Sequence, residues 1–508
     1  MRTGIIGVAL AICCAAQQPA GYDQPFRPQY HFSPRQNWTN DPNGLVYFDG
    51  EYHLFYQYNP FGDRWGHMSW GHAVSPDLLH WEELPVALPE ENGIMIFTGS
   101  TVVDQRNTSG FCSGGKPCLV SVYTGHTPPA SGRPALQTQN VAYSNDRGRT
   151  WTKYSGNPVL NLNMADFRDP HVFWSDASKR WVMVVALPGE HKVLIYHSAD
   201  LKQWERVSEF GPAGATGGQW ECPTLAEVPI AASPGQSRWV LKVGLNPGAL
   251  QGGSGEQYFV GSFDGTRFTN DNPSSTALWT DYGKDCYCAL PFNGLPQGGR
   301  PVMLGWMNNW QYAGNVPTQP WRGQMTIPRR LQLKRVGDGL RLAQEPVDLR
   351  ALRTGHFAWR GNDTAVLNRA LSENASRGTS WELRATVLPG GPGDVSWKVL
   401  AGGGKYTLVG YTAARGEFFV DRTHSGETGF HRDFPAITAV KWPSGRGLLD
   451  FIILVDRSTV EVFAFGGLVA ITTLVYPPAD ARGIEFSSSG ANPRQIHVET
   501  WELASTWR

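Results

Sequence analysis

The sequence predicts an all-β protein in two parts, a propeller of about five blades followed by a β-sandwich. Three observations carry this. Nearly every segment is short, rich in aromatic or β-branched residues, and ends in Gly, Pro, Asn or Asp, while long helical periodicity is absent. A pattern of Ser, then Asp two residues on, then an aromatic residue recurs in the first two thirds of the chain. Beyond about residue 355 the alternation of apolar and polar residues is that of short sandwich strands.

The chain opens "MRTGIIGVALAICCAAQQPAGYDQ". One Arg precedes an apolar run too short to span a bilayer, and small residues follow. This predicts a signal peptide over residues 1–20 and hence a secreted, extracellular protein. From residue 21 to 345, "GLVYFDGEYHLFYQYNP" is strand, Asp-Gly turn, strand, and "KRWVMVVAL", "HKVLIYHS" and "SRWVLKVGL" are further strands. The recurring pattern is "SPDLLHW" at 75, "SNDRGRTW" at 144, "SADLKQW" at 198 and "SFDGTRF" at 262. Its spacing averages about 62 residues, the length of a four-stranded propeller blade, and the region accommodates about five. Asp77, Asp146, Asp200 and Asp264 are read as turn residues. "EPVDLRALR" at 345–353 reads as a linker, taken as residues 346–354, and 355–508 form the sandwich, with strands such as "SWELRATVL" and "STVEVFAFGG".

Composition narrows the function. In 508 residues, Lys+Arg 44 balances Asp+Glu 44, so no basic stripe argues for nucleic acid. No other stretch is long and apolar enough for a membrane span. The 20 Trp, many beside polar residues, suit sugar faces as well as cores. Sequons at Asn37, Asn107, Asn362 and Asn374 fit secretion; glycans are expected on Asn107, Asn362 or Asn374, since Asn37 is too close to Asp41. Of seven Cys, Cys13 and Cys14 leave with the signal, so at least one of the remaining five is unpaired. Cys112 and Cys118 bracket a flexible loop within reach of a small disulfide. Cys286 and Cys288, flanking one residue, would stand about 6.5 to 7 Å apart on a strand, the far edge of disulfide geometry. They and Cys222 are read as buried small side chains. Neither a metal nor any other cofactor is expected, because no cysteine has metal-ligand spacing with a matching His pair.

Three acids share a phase in the repeat. "WTNDPNG" at 38 is a strong turn signal that presents Asp41. Asp41 precedes its blade's Ser, as do Asp169 in "FRDP" and Glu221 in "WECP" in theirs. If the first strand of each blade lines the axis, all three face one funnel. Clustered carboxylates rimmed with Trp point to glycosidic bond cleavage, one group as general acid and one as nucleophile or base. A negative neighbour and partial burial would raise the acid's pKa. Arg168 would keep Asp169 ionised and donate to sugar hydroxyls.

These motifs, with "GHMSWGHAVSPDLLHW" and "GWMNNWQYAGNVPTQPW", resemble glycoside hydrolase family 32, from about Tyr22 to the C-terminus. The opening "YDQPFRPQYHFSP" resembles fungal exo-inulinases most. The resemblance implies a five-bladed propeller joined to a sandwich, and a retaining exo-β-fructosidase acting on inulin, levan or sucrose. Asp41 would attack C2 of a terminal fructofuranose, Glu221 would serve as acid and base, and Asp169 would hold hydroxyls and stabilise the transition state. Retention needs nucleophile and acid about 5 to 5.5 Å apart. The implied sugar contacts are Asn40, Asn43, Gln57, Trp65, Phe97, Thr98, Arg168 and Trp310, with Trp38 walling the funnel base. Thr39 stands where many members have Met, and Thr98 where many have Ser. "DCYCA" departs from the usual pattern, and Asp285 is assigned a place near the glycosidic oxygen.

Plainer readings stand beside these. Trp65 and Trp70 alternate as in a strand and could both be core. His67 and His72 are read as satisfying core hydrogen bonds, and Trp310 is preferred to Trp321 as a contact. Three alternatives to the hydrolase remain: a fructosyltransferase on the same site, a non-catalytic sugar-binding propeller, and an arabinan-type glycosidase.

Overall fold

The computed structural model describes residues 21–130, 132–296, 299–374, 378–442 and 447–507. The predicted signal peptide lies outside the described residues. Residues 37–346 form five sheets in which consecutive strands run antiparallel. Their innermost strands are Asn37–Phe48, Met95–Asp104, Arg168–Ser175, Gln219–Pro229 and Tyr287–Pro291. Each touches the next in turn, and the fifth touches the first, so the ring closes. Trp321–Arg322 pairs in parallel with Asn37–Trp38, which zips the end of the ring to its beginning. Apolar clusters fill the spaces between successive sheets.

The recurring Ser-x-Asp is the turn after the third strand in each of the first four sheets. Asp77 Oδ1 accepts from the amides of Leu79 and His80, and Ser75 Oγ from that of Leu78. Asp200 and Ser198 repeat this bonding, and Asp146 and Asp264 hold their own turns similarly. Such side chains mimic a backbone turn, so the pattern is local and repeatable. The following indole closes three of the turns: Trp81, Trp151 and Trp204 each donate to a carbonyl three residues back.

Residues 353–503 form the sandwich, a six-stranded sheet from Arg353–Gly361 to Val469–Leu474 packed on a five-stranded one. Among the described residues one α-helix, Thr364–Asn374, interrupts the all-β pattern; Asp363 caps it, and Leu367 and Leu371 anchor it. The connector is packed rather than free, with Val347, Leu349 and Leu352 buried. Buried charges lock the two parts. Arg329 bonds Asp281 at 2.8 Å and also Glu461, while His31 bridges Asp456 and Glu461.

The cysteines differ from expectation. Cys112–Cys118 is a disulfide, but so is Cys222–Cys288, and among the described residues only Cys286 is free. Cys222 and Cys288 are therefore not merely small buried side chains. They lie on adjacent inner strands, a proximity that depends on the order of the sheets around the ring. No helix among the described residues is long and apolar enough to cross a membrane.

Candidate active site

All five inner strands carry a register irregularity at one level: between Thr39 and Pro42, Ile96 and Gly99, Arg168 and His171, Glu221 and Thr224, and Tyr287 and Leu290. A bulge releases residues from pairing and re-aims their side chains. The expected tight turn in "WTNDPNG" is instead a bulge in one continuous strand, Asn37–Phe48. Pro42 cannot donate to the ladder, and Gly44 takes φ +53° with a second irregularity after Asn43. Asp169 reaches its position with φ 65°, a conformation that Asp tolerates better than most residues.

The bulges surround a cavity of about 370 Å³. Asp41, Asp169 and Glu221 all line it, with Asn40, Gln57, Trp65, Phe97, Thr98, Arg168 and Trp310. Asp41 Oδ2 accepts from Thr98 Oγ1 at 2.8 Å, while the buried Oδ1 has no hydrogen-bond partner. Burial pushes Asp41 up to about 7, helped by the charges of Asp169 and Glu221 and opposed by Thr98 and Asn40. Asp169 is likewise pushed up by burial, which outweighs the Arg168 charge. Its Oδ2 accepts from the Cys222 amide at 2.9 Å. The Arg168 charge therefore acts on Asp169 in the expected direction, favouring the ionised form, but against a larger effect of burial. The Arg168 guanidinium bonds Glu221 Oε1 at 3.1 Å, Asp166 at 2.7 Å and Gln219 at 2.8 Å. Glu221 Oε2 accepts from the Tyr287 hydroxyl, which burial keeps protonated.

Two expected contacts lie elsewhere. Asn43 is fully buried behind the cavity. Its amide, oriented to satisfy both ends, donates to Thr98 Oγ1 and accepts from Gln57 and Trp70, so it supports the lining. Asp285 is also fully buried and is not part of the lining. Its carboxylate accepts from Tyr312, from Arg422 at 2.5 Å and from the Leu474 amide at 2.8 Å. It ties the propeller to the sandwich, so its placement near a glycosidic oxygen is corrected. Trp38 stands behind the wall, donating to Asn40 Oδ1 at 2.8 Å and stacking on Trp310. Trp70 and Trp321 are core, whereas Trp65, 47 % exposed, rises at the rim. His72 is buried beside His53, but His67 is exposed and pairs with Glu90.

His126, Gln137 and Asn246 also line the cavity and were missed, as was Tyr287 behind Glu221. Phe97 stacks on His126 at 4.5 Å. No short motif marks the first three; Tyr287 sits inside "DCYCA". Asp41, Cys222 and Cys288 are the one group of possible metal ligands found together among the described residues, but both sulfurs are tied up in the disulfide.

The profile of the glycosyl hydrolases family 32 N-terminal domain matches residues 31–346, and that of the family's C-terminal domain matches 348–502. The chain belongs to glycosyl hydrolase family 32. It is 46 % identical to a levanase of Bacillus subtilis (strain 168), over 98 % of this chain and 74 % of the levanase. It is 42 % identical to an extracellular exo-inulinase of Aspergillus awamori, over 96 % of each. The crystal structure of exo-inulinase from A. awamori superimposes with a TM-score of 0.87 at 40 % identity, covering 96 % of this chain and 100 % of that one. A β-fructofuranosidase of Schwanniomyces occidentalis, complexed with fructosyl-erythritol, gives 0.84 at 32 %, covering 96 % and 99 %. This family 32 member is accordingly a glycoside hydrolase, with a propeller and a sandwich.

Proposed function

We propose that the protein is a secreted, retaining exo-β-fructosidase that releases terminal fructose from fructans and sucrose. The observation that carries this reading is the three carboxylates lining one cavity, with Asp41 Oδ1 bare of partners and both Glu221 oxygens held. Asp41 Oδ1 attacks C2 of the fructosyl unit as Glu221 gives its proton to the leaving oxygen, forming a fructosyl ester on Asp41. Water then adds its oxygen to C2 and returns a proton to Glu221, freeing Asp41. Asp169, fixed by the Cys222 amide, accepts from fructose hydroxyls and stabilises positive charge at C2. Arg168 and Tyr287 orient Glu221, and Gln57, Asn40 and Trp310 supply contacts to the ring. Relatives named levanase and exo-inulinase support fructan as substrate, and those named extracellular support secretion.

The test is a chromatographic time course on inulin, levan and sucrose. Fructose as the sole early product, with slow polymer shortening, is expected. Early oligosaccharides from sucrose would make the protein a transferase, and no turnover of any of the three would refute the reading.

A further inference from the structure

We propose that the Cys222–Cys288 disulfide is a positioning element of the catalytic site, holding the three carboxylates in register. The inference rests on the β-fructosidase reading. The bridge joins the fourth and fifth inner strands at their bulges. Cys222 directly follows Glu221, and Cys288 directly follows Tyr287. Both cysteines have φ 47°, a left-handed conformation costly for a residue with a Cβ and kept only where the surroundings impose it.

The bridge reaches every acid. Cys222 Sγ lies 3.8 Å from Asp41 Oδ2, and as a disulfide sulfur it presents no S–H to that carboxylate. The Cys222 amide donates to Asp169 Oδ2 at 2.9 Å. Glu221 and Tyr287, each one residue before a bridged cysteine, bond to one another. The cross-link thus fixes the spacing of the acid and its hydroxyl partner. It also sets the direction of the amide that holds Asp169 and closes the floor beneath Asp41. Cys112–Cys118 spans only six residues and joins none of these groups.

The fold has other ties at this seam. Glu256 Oε1 accepts from the Ala289 amide at 2.7 Å, and Lys242 bonds both Glu256 and the Ala289 carbonyl. Losing the bridge therefore leaves the fourth and fifth sheets joined while the two bulges relax toward ordinary backbone angles.

The test compares the wild type, Cys222→Ala/Cys288→Ala and Cys112→Ala/Cys118→Ala on sucrose and inulin across about pH 4 to 9. For the first pair, kcat should fall at least about tenfold with KM changed less than about threefold, because the site loses alignment more than ground-state contacts. Its acid limb should move to lower pH, since water entering beneath Asp41 relieves the burial that favours the protonated form. The second pair should match the wild type. An active wild type beside a folded first pair with equal kcat and pH profile would overturn the inference alone. A wild type that releases no fructose would overturn the functional reading and the inference with it. A first pair that cannot fold would assign the bridge to stability and also overturn it. Native protein treated with a dithiol gives an independent measure. The reagent closes to its own disulfide and supplies two electrons and two protons, opening the bridge to two thiols. Activity should fall in proportion to alkylation at Cys222 and Cys288, read by mass spectrometry, and return on reoxidation of unalkylated thiols. Full activity with both alkylated would refute the proposal.

Discussion

Replacing Thr98 by Val removes one hydroxyl and keeps the β-branched shape. That hydroxyl donates to Asp41 Oδ2 at 2.8 Å and accepts from the Asn43 amide. Its bond favours the ionised form of Asp41, which burial and two neighbouring acids push up to about 7. A hydrogen bond to a charged group contributes about 1.5 to 3 kcal/mol, and each pKa unit corresponds to about 1.4 kcal/mol. Thr98→Val should therefore raise the Asp41 pKa by about 1 to 2. If Asp41 must be ionised to attack, the acid limb of kcat/KM follows that rise, since this limb reports the free enzyme. Well below the limb, kcat/KM should fall about 10- to 100-fold relative to wild type, and the deficit should shrink as pH rises. The assay is initial fructose release at low substrate across the pH range, with circular dichroism to verify folding. Thr98→Ser keeps the hydroxyl and should restore the wild-type limb. A limb that stays in place or moves down in a folded Thr98→Val protein would refute the assignment of Asp41 as the group that must ionise.

Three further outcomes follow from the same structure. Asp41→Asn should stabilise the protein at alkaline pH. The folded pKa of about 7 lies above the ordinary 3.8, so the native state holds an extra proton between these values, and wild-type stability declines as pH rises across that window. Calorimetry should show a gain on the order of 4 kcal/mol at about pH 8, nearly gone by about pH 4; an equal gain at both would contradict the buried-charge argument. Asp285→Asn should cost about 3 to 5 kcal/mol, because it leaves the buried Arg422 without its counter-charge. The folded fraction should keep its kcat, and a large kcat loss at unchanged stability would return Asp285 to the chemistry. Trp65→Ala should raise KM for inulin about 3- to 10-fold with little change in kcat, as loss of one stacking face at the rim predicts; an unchanged KM would leave Trp65 outside the sugar path.

What was legible in the sequence divides by the range of the interaction that determines it. The Ser-x-Asp turns are closed by atoms a few residues apart, so the same letters give the same structure four times and expose the repeat. Phase within that repeat then placed Asp41, Asp169 and Glu221 on inner strands, and all three meet in the cavity. The helix Thr364–Asn374 was missed because only Leu367 and Leu371 mark its buried face, too little for a periodic signal. Harder still were features created by one sheet meeting another. Cys288 pairs with a residue 66 positions away rather than with the nearby Cys286, because ring order sets the fourth inner strand beside the fifth. Asp285 lies near Tyr287 in sequence yet turns to Arg422 in the sandwich, while Tyr287 turns to Glu221. A motif therefore fixes which residues arrive at the mouth of the ring; the bulges on each inner strand decide which way they face, and their register is a property of the neighbouring strand as much as of their own letters.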